Sequence, residues 1–222
     1  MTPACTVVIP TYNRAATLRR CLDALAAQTA PPGSFEAVVV DDGSTDETRA
    51  MLEGYGAAFP LRAIHQENQR VARARNRGIA EARGAFCLFI DDDIVAAPGL
   101  VAHHLAAHAA RRCVAIGRLH TQPTSDDALA HRVATWLNGH YDELDAGREP
   151  TFVDTFSGNL SAPTDVLLAI GGFAPDLPRY EDVEIGIRLR ETGLPFHYLP
   201  LAEASQEFDK GFADVLADAY RL

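Results

Sequence analysis

The segment that most constrains this chain is an apolar run that ends in three consecutive carboxylates. Residues 86–90 are all apolar, and Asp91, Asp92 and Asp93 follow directly. A short apolar run of this kind is typical of a strand buried on both faces of a parallel sheet. Three adjacent acids repel one another unless a positive charge lies among them. Considered alone, the triad is either a solvated acidic turn or a site for a cation with a phosphorylated ligand, since carboxylates and phosphates together hold hard cations.

Strand-like and helix-like segments alternate along the rest of the first half. Apolar runs predict strands, and apolar residues at three- and four-residue spacing predict amphipathic helices. The predicted strands are residues 6–9 (stopped by Pro10), 35–40, 61–64 and 86–90, and the predicted helices lie around residues 18–25 and 71–82. This alternation predicts βαβ units, an α/β fold and a mostly parallel, doubly wound, Rossmann-like sheet flanked by helices.

The second half is more varied and is interpreted as part of the same domain. Its predicted helices are residues 98–112, 125–145, 165–169, 182–191 and 208–222, and its predicted strands are 114–119, 151–156 and 196–199. No repeat, low-complexity tract or clear linker interrupts the chain. We therefore expect one domain over residues 1–222, with a nucleotide-facing first half.

Bulk composition excludes several classes of protein. A chain of 222 residues with 47% hydrophobic residues has enough apolar surface to bury a core. A formal net charge of −10 argues against nucleic acid as a partner, because a phosphate backbone requires a basic face. Without an apolar run of membrane-spanning length or a signal peptide, the protein is expected to be cytoplasmic. The four cysteines are far apart, and Cys21 and Cys87 lie in apolar patterns, so buried reduced thiols are expected.

A second acidic strand end resembles the first. Residues 38–40 are apolar, and Asp41 and Asp42 follow them. Both acidic strand ends are expected at one edge of the sheet, where open α/β sheets bind ligands. A carboxylate there can accept a hydrogen bond from a base N–H or a ribose hydroxyl. Ser44 and Glu47, by contrast, have the spacing of a helix capping box.

The segment Pro10-Thr11-Tyr12-Asn13 follows the first strand and opens the first helix. Thr11 and Tyr12 are expected to face the same crevice, and Asn13 is a candidate helix N-cap. Arginines at positions 73, 75 and 77 lie on one helix between the acidic strand ends. A guanidinium there suits a diphosphate or a base carbonyl, although a solvated basic face explains one or two of the three.

The second half adds a further set of candidates. Glu181 and Asp182 stand near the start of a helix, where the dipole alone also favours acids. The turns at Gly158-Asn159 and Gly171-Gly172-Phe173 would let the backbone approach a ligand closely.

Histidines and aromatic residues carry weaker signals. His104 and His108 have the i, i+4 spacing of zinc ligands but lack a third ligand nearby, so a metal site there is disfavoured. Trp136 and Tyr141 are interpreted as core or local packing rather than as an acceptor platform. An acceptor is expected to bind in the stretch 119–155.

Taken in order, these motifs resemble family 2 glycosyltransferases with the GT-A fold. The matching pieces are residues 8–14, 38–46, 74–78, 88–93, 158–159 and 171–173, then Glu181-Asp182, Arg188-Leu189 and Gly193. The resemblance implies an inverting enzyme that uses a nucleotide-sugar, preferably a UDP-sugar, and Mg²⁺ or Mn²⁺. Residues 1–95 would bind the donor, and residues 96–222 would bind the acceptor, a glycan, a lipid-linked sugar or a small molecule, and supply the base.

The resemblance also implies roles for individual residues. Asp93 would be the metal ligand and Asp182 the catalytic base. The remaining candidates would bind the nucleotide-sugar: Pro10, Thr11, Tyr12, Asn13, Asp41, Asp42, Arg75, Asp91, Asp92, Asn159 and Glu181.

One position departs from the family pattern. Where many members carry a metal-binding histidine, this chain has Gln206, a weaker ligand. This leaves a second hypothesis open, namely a catalytically weak or inactive nucleotide-sugar-binding module. A sugar-phosphate nucleotidyltransferase is a third, because it shares the sheet, but residues 10–13 replace its glycine-rich loop. A dehydrogenase is disfavoured because no G-x-G-x-x-G follows a strand. The chain also ends where many relatives continue, so it is either a whole protein or one part of a longer one.

Overall fold

Eight strands form one sheet, and helices cover its faces. In this computed structural model, which describes residues 2–177 and 179–208, the strands are β1 (Cys5–Thr11), β2 (Phe35–Asp41), β3 (Leu61–His65), β4 (Phe86–Phe89), β5 (Ile94–Ala96), β6 (Val114–Pro123), β7 (Leu160–Pro163) and β8 (Phe196–Phe208). The helices are α1 (Ala15–Ala26), α2 (Thr48–Gly54), α3 (Val71–Glu81), α4 (Leu100–Ala110), α5 (Ala128–Asp145), α6 (Thr164–Ala169) and α7 (Glu181–Glu191). The predicted α/β class is confirmed.

The strand order creates the crevice that the sequence predicts. The order is β3-β2-β1-β4-β7-β6-β8-β5, and the first four strands are mutually parallel. The chain runs outward from β1 to β3 and then returns to the other side of β1 as β4. This reversal opens a crevice between the carboxyl ends of β1 and β4, the usual ligand position in such sheets. Further along, β7 is antiparallel to both neighbours, and β5 is antiparallel to β8.

Apolar side chains at the predicted positions hold the layers together. Leu18, Cys21, Leu22 and Leu25 form the buried face of α1, at the spacing that predicted an amphipathic helix. All four cysteines are buried and unpaired, as expected for reduced thiols. The parallel strands β1 and β2 are buried along their whole length, because helices cover both faces of the sheet.

The first strand is longer than the sequence predicts, because Pro10 lies inside it rather than ending it. The carbonyl of Thr11 accepts a hydrogen bond from the Asp42 backbone N–H, so the backbone of Thr11 faces β2. Because successive residues of a strand face opposite sides, the nitrogen of Pro10 faces β4, where pairing has already ended at Val8 and Phe89. A proline is tolerated at this position because no partner there needs its missing N–H.

The predicted strand at residues 151–156 is wrong. Residues Phe152–Asp154 form a 3-10 helix, in which Thr151 and Asp154 make a reciprocal capping box. The buried Asp154 carboxylate also binds Arg148, which fixes the turn. The strand of this region is instead β7, between β4 and β6. This strand is only four residues long and directly follows the Gly158-Asn159 turn, so it is too short to show a periodic pattern.

The last described strand continues well beyond the predicted end at residue 199. Its pairing with β6 shifts register between Gly117 and Arg118, and this irregularity accommodates Pro200. Beyond the shift, β8 pairs with β5, so Gln206 stands opposite Ile94. The strand thereby brings Gln206 next to the acidic triad, which ends one residue before Ile94.

Two further expectations concern the end of the chain and membranes. The predicted helix at 208–222 lies outside the described residues, except Phe208, which ends β8. Among the helices that the structure describes, none has the length and apolarity needed to cross a bilayer.

A buried polar chain of hydrogen bonds links α4 to β7. His108 Nε2 and His104 Nδ1 each lie 2.8 Å from Ser161 Oγ, and His104 Nε2 lies 3.0 Å from Asn159 Oδ1. These bonds fit two neutral imidazoles, and no group of three metal-ligating side chains is found among residues 2–177 and 179–208. Burial lowers the pKa of His104 to about 3 and that of His108 to about 4.

We expect the stability of the protein to fall as the pH drops below about 6.5. The unfolded histidines take up protons near that pH while the folded ones remain neutral, so the unfolded state is favoured progressively down to about pH 4. The loss for the fully buried His104 is about 1.4 kcal/mol per pH unit at most. Thermal unfolding from about pH 7 to about pH 5 measures it. His108→Gln should make stability less dependent on pH. His103→Gln is the control and should not change the dependence, because the His103 side chain makes no hydrogen bond to described residues. Equal slopes of stability against pH in the wild type and both variants would contradict the assignment.

Close contact between α3 and β1 requires a glycine at position 78. A Cβ at Gly78 would lie 2.3 Å from Val8 Cγ1, whereas one at Gly54 would meet nothing within 4 Å. Gly78→Ala should therefore lower the free energy of unfolding by about 1–3 kcal/mol, the usual cost of overpacking. Gly54→Ala, in α2, should leave it unchanged or raise it slightly. Urea unfolding midpoints compare the two, and a neutral Gly78→Ala would show that α3 does not depend on this contact.

Candidate active site

The crevice between β1 and β4 contains a cavity of about 410 Å³ that is lined by all three acids of the triad. Its lining combines the predicted residues Pro10, Thr11, Tyr12, Asp42, Arg75, Asp91, Asp92 and Asp93 with Arg14, Val71, Ala74, Gln206, Glu207 and Phe208. Most of the candidates from the first half are therefore gathered in one place. Tyr12 is half exposed at the rim, and the acids lie deeper.

Arginine side chains neutralise part of the acidic triad. Arg14 Nη1 lies 3.1 Å from Asp92 Oδ1 and 2.9 Å from Asp93 Oδ2. Thr11 donates a further hydrogen bond of 2.7 Å to Asp92. Gln206 Nε2 donates to the other oxygen of Asp93, at 3.2 Å. The sequence analysis gave no role to Arg14, although it follows directly on the predicted ligand-binding segment.

Burial disfavours the charged form of the acids in the triad. It raises the pKa of Asp92 to about 6, although Arg14 and Thr11 act in the opposite direction. Burial, and then the charge of Asp91, also raises the pKa of Asp93. Carboxylates whose pKa values are raised in a cleft favour a site that receives a cation.

Arg75 connects three separate segments of the chain. Its guanidinium donates to Asp91 Oδ1 at 2.7 Å and to Glu181 Oε1 at 2.9 Å, and its Cζ lies 5.3 Å from the ring centre of Phe173. Although burial alone would lower the pKa of Arg75, Asp91 and Glu181 raise it overall. Removing one partner of such a buried ion pair costs roughly 3–5 kcal/mol, so Arg75 supports the site as well as lining it.

The carboxylates of the second acidic strand end, Asp41 and Asp42, are bonded mainly to other groups of the same chain. Asp41 accepts a hydrogen bond from the Ser44 N–H and lies 2.8 Å from His65 Nδ1. Asp42 accepts from Gln66 Nε2 and from the Gln69 N–H, and it also lines the large cavity. Asp41 does not line that cavity, although it lies beside a shallow depression that includes His65 and Ser44.

Two predicted caps have other functions. Asn13 has a positive φ of 55° and is not the N-cap of α1; its side-chain oxygen accepts from the N–H groups of Thr45 and Asp46. Ser44 does not pair with Glu47 in a capping box, because its hydroxyl accepts from the Asn13 N–H. These bonds instead tie the loops after β1 and β2 to each other.

Asn159 lies away from the cavity and has structural partners. Its amide donates to the carbonyls of Arg118 and Ala202, and its oxygen lies beside His104. The sequence analysis expected it to contact the nucleotide-sugar, but a side chain that is buried with three protein partners is fully used in joining β7 to β6 and β8.

A second, smaller cavity of about 130 Å³ contains Asp182. Its lining is Asp91, Leu119, Thr121, Leu137, Tyr141, Phe156, Ser157, Gly158, Asp182 and Gln206. Asp91 and Gln206 line both cavities, so the two spaces lie next to each other at these side chains. Burial, followed by the charge of Glu181, raises the pKa of Asp182. Its Oδ1 accepts from the Val183 N–H at 2.8 Å, at the start of α7.

The two aromatic residues of α5 behave differently. Tyr141 is buried, as expected of a core residue. Trp136 is 64% exposed and contacts Phe156 edge to face, with 6.5 Å between ring centres. Leu119, Thr121, Leu137 and Tyr141 all line the smaller cavity, so the stretch 119–155 contributes to a pocket beside Asp182.

Side chains with oxygen atoms suited to a divalent cation line the same cavity as Asp93. Two carboxylates, Asp91 and Asp93, and the amide of Gln206 line one cavity, and Mg²⁺ and Mn²⁺ prefer such oxygen ligands. The described side chains contain no cluster of three acidic, histidine or cysteine ligands. The residues therefore fit a cation that takes the rest of its shell from a phosphorylated ligand and water, as Mg²⁺ commonly does.

Comparisons with known proteins agree with this geometry. The chain is 34% identical over 222 aligned residues to validoxylamine A glucosyltransferase from Streptomyces hygroscopicus subsp. limoneus, covering 87% of this chain and 49% of that protein. It thus spans about half the length of this curated relative.

Solved structures show the same fold at lower identity. TarS residues 1–349 from S. aureus, in complex with UDP-GlcNAc, superposes with a TM-score of 0.72 at 22% identity, covering 93% of this chain and 59% of that one. The mannosyltransferase PcManGT from Pyrobaculum calidifontis, in complex with GDP-Man and Mn²⁺, gives 0.71 at 23% identity, covering 93% and 57%.

The sequence model described as glycosyl transferase family 2 matches residues 6–171, which include the strand ends at both acidic motifs. Together with the sheet and its crevice, this match identifies the family of the chain. The chain belongs to glycosyl transferase family 2 and has the GT-A fold.

Proposed function

We propose that this chain is the catalytic part of an inverting glycosyltransferase, which moves a sugar from a nucleoside-diphosphate sugar, with UDP-sugars favoured, to an acceptor hydroxyl. The observation that carries the proposal is that Asp91 and Gln206 line both cavities, which places the two spaces side by side. A donor in the larger cavity and a hydroxyl in the smaller one would meet there. A glycan, a lipid-linked sugar and a small molecule remain the candidate acceptors.

The larger cavity is the proposed donor site. Pro10 and the exposed Tyr12 line it and suit a nucleotide base, while Arg75 and Asp91 line the part where the ribose and diphosphate would bind. The fixed charge pair of Arg75 and Asp91 requires no rearrangement to offer both a donor and an acceptor to these groups. Asp41 and Asn13 support this site through the loops after β1 and β2.

Asp182 is the proposed general base. The acceptor hydroxyl gives its proton to the Asp182 carboxylate while its oxygen bonds to the anomeric carbon. The bond from that carbon to the diphosphate oxygen breaks, and its electron pair leaves with the nucleoside diphosphate. Because burial raises the pKa of Asp182, the carboxylate is a stronger base than one in water.

Asp93, with Gln206 and Asp91, would hold a divalent cation, Mg²⁺ or Mn²⁺. Such a cation would neutralise the charge that develops on the departing diphosphate. Arg14 already pairs with Asp93 and would have to share this carboxylate or release it. The Mn²⁺ named with the mannosyltransferase, and the UDP-GlcNAc named with TarS, support a cation-assisted nucleotide-sugar site by likeness of fold.

One observation favours the second hypothesis, a nucleotide-sugar-binding module with weak activity. Both oxygens of Asp93 accept hydrogen bonds from protein side chains, Arg14 on one and Gln206 on the other. A cation would therefore have to compete for its principal ligand. Donor binding without metal dependence, and without transfer, would support this alternative.

Asp182→Asn should retain nucleotide binding and lose transfer. Replacing the carboxylate by an amide of the same shape removes the base, and general-base catalysis contributes about 10²- to 10⁴-fold to rate. Turnover of UDP-sugars by the purified chain, measured as released UDP, gives the rate, and calorimetry gives the UDP affinity. Glu184→Gln, on the same helix and ion-paired with Arg188, is the matched control. Undiminished turnover in Asp182→Asn would assign the base elsewhere.

Binding of UDP, GDP and dTDP should distinguish the donor, with UDP expected to bind most tightly. Calorimetric titration of each, with and without Mn²⁺, should show that Asp93→Ala loses the dependence on Mn²⁺, because its carboxylate is the proposed ligand. Asp165→Ala removes an exposed carboxylate ion-paired with Arg112 and serves as control. If no nucleotide binds, the donor-site proposal fails; if binding ignores Mn²⁺, the weakly active module is favoured.

A further inference from the structure

Hydrogen-bond donors of the chain itself occupy five of the six carboxylate oxygens of the acidic triad. Arg75 donates to one oxygen of Asp91, and Thr11 and Arg14 each donate to one oxygen of Asp92. Arg14 and Gln206 each donate to one oxygen of Asp93. Within residues 2–177 and 179–208, Asp91 Oδ2 is the one oxygen of the triad that accepts no such bond. A cation that binds these acids therefore competes with side chains of the protein.

Arg14 is the strongest of these competitors at Asp93. Its Nη1 lies 2.9 Å from Asp93 Oδ2, and its guanidinium is charged at every accessible pH. A divalent cation on the same oxygen would lie within a few ångströms of this positive charge, and like charges at that separation repel strongly in a cleft. Arg14 and a cation therefore exclude each other at this oxygen.

The Arg14 guanidinium has donors to spare. A single nitrogen, Nη1, makes the contacts with both Asp92 and Asp93, whereas Nε and Nη2 make no hydrogen bond to the described residues. Arg14 also lines the larger cavity, which is the proposed donor site. It can thus release Asp93, keep Asp92 and turn its remaining N–H groups towards phosphate oxygens, which a guanidinium binds well.

The backbone of Arg14 is fixed, so only its side chain is free to move. Its N–H donates to Thr48 Oγ1 at 3.2 Å, and its carbonyl accepts from the Leu18 N–H and the Thr17 hydroxyl, both at 3.0 Å. The side chain is 34% exposed, against 4% for Arg75. Of the two arginines in the cavity, Arg14 is therefore the one with room to change partners.

Gln206 has a similar choice of two arrangements. Its Nε2 donates to Asp93 Oδ1 at 3.2 Å, so it is the amide nitrogen rather than the oxygen that faces this carboxylate. Rotation of the amide by about 180° exchanges the two atoms at almost no steric cost. Strand pairing with Ile94 holds the backbone of Gln206 in place. The side chain therefore either stabilises Asp93 or offers an oxygen ligand beside it.

We propose that Arg14 is a charge switch that makes a divalent cation and a nucleoside diphosphate bind as partners, each weakly without the other. A cation alone meets the Arg14 charge at Asp93, and a diphosphate alone meets the carboxylates of the triad. When both bind, phosphate oxygens give Arg14 a new anionic partner and free Asp93 for the cation. This inference rests on the proposed donor and cation site, and it adds a positioning role for Arg14.

Binding of Mn²⁺ alone is the first test, measured from the electron paramagnetic resonance signal of free Mn²⁺ without nucleotide. Arg14→Gln should bind Mn²⁺ about 10- to 100-fold more tightly than the wild type, because a hydrogen bond between charged groups no longer competes. Arg20→Gln is the matched control, since it removes the same charge from α1 but from a pair with Glu207. Its Mn²⁺ affinity should stay close to that of the wild type.

Two outcomes of this test would overturn the proposal. In one, Arg14→Gln binds Mn²⁺ no more tightly than the wild type, so that Arg14 does not compete with the cation. In the other, Arg20→Gln gains as much affinity as Arg14→Gln, so that net charge rather than the contact with Asp93 is responsible.

Coupling between the two ligands is the second test. Calorimetry of UDP, GDP and dTDP with and without Mn²⁺ should show that Mn²⁺ strengthens the preferred nucleotide at least about tenfold in the wild type, and by linkage the nucleotide strengthens Mn²⁺ by the same factor. In Arg14→Gln this factor should fall about tenfold, because Mn²⁺ no longer needs the nucleotide to release Asp93. Equal coupling factors in the wild type and Arg14→Gln would refute the switch.

Arg14→Lys separates the two roles of the side chain and keeps the test available if Arg14→Gln does not fold. An ammonium retains the charge and can donate to both Asp92 and Asp93, but it lacks the second nitrogen for a phosphate. Mn²⁺ alone should therefore bind as weakly as to the wild type, while the nucleotide with Mn²⁺ binds about tenfold more weakly. Wild-type nucleotide affinity in Arg14→Lys would exclude Arg14 as a phosphate partner.

These measurements separate this inference from the proposed function, because none of them needs a sugar, an acceptor or turnover. Coupled binding of Mn²⁺ and a nucleotide without transfer from any nucleotide-sugar would retain the switch and reject the transferase. Transfer that depends on Asp182, together with equal Mn²⁺ affinity in the wild type and Arg14→Gln, would do the reverse.

Discussion

The ion pairs of Arg75 connect the two halves of this protein at its crevice. The guanidinium lies on α3, Asp91 follows β4, and Glu181 begins α7, so one side chain fixes segments that are 16 and 106 residues away from it. Burial makes these pairs consequential, because a buried charge that loses its partner is strongly destabilising. The position of α7, and therefore of Asp182 beside the smaller cavity, depends on this contact. The hydroxyl of Thr155 donates a hydrogen bond to the Asp182 carbonyl and so helps to hold the start of α7 in place.

Charge in the crevice is unbalanced in a way that suits an anionic ligand with a cation. Arg14 and Arg75 are the basic side chains of the larger cavity, and they face the whole acidic triad. Burial raises the pKa of Asp92 and Asp93 despite the opposing charge of Arg14. The negative net charge of the chain is consistent with this arrangement, in which a cation rather than a basic surface would attract phosphate oxygens.

Much of the first half could be predicted because its signals are local. The helix α1 has apolar residues at helical spacing, β4 is apolar throughout, and β2 is apolar from Ala37 to Val40, so neighbouring residues determine each element. The predictions failed where distant pairing decides the outcome. β7 is four residues long and exists because β4 and β6 flank it, and the extension of β8 past Pro200 depends on a register shift against β6. The capping interpretations of Asn13 and Ser44 failed for a related reason: each side chain found a partner in a different loop.

The sequence by itself determined the family, the α/β class and the acids at the ends of β2 and β4, because strand periodicity and motif order are properties of contiguous residues. Tertiary structure alone decided which of these residues share a cavity. It assigned Asn159 to the framework, brought Gln206 to Asp93 through the pairing of β5 with β8, and placed Tyr141 and Asp182 beside one cavity. The physical reason is that hydrogen-bond satisfaction and burial depend on the whole packed chain, and no local pattern encodes which distant polar groups become partners.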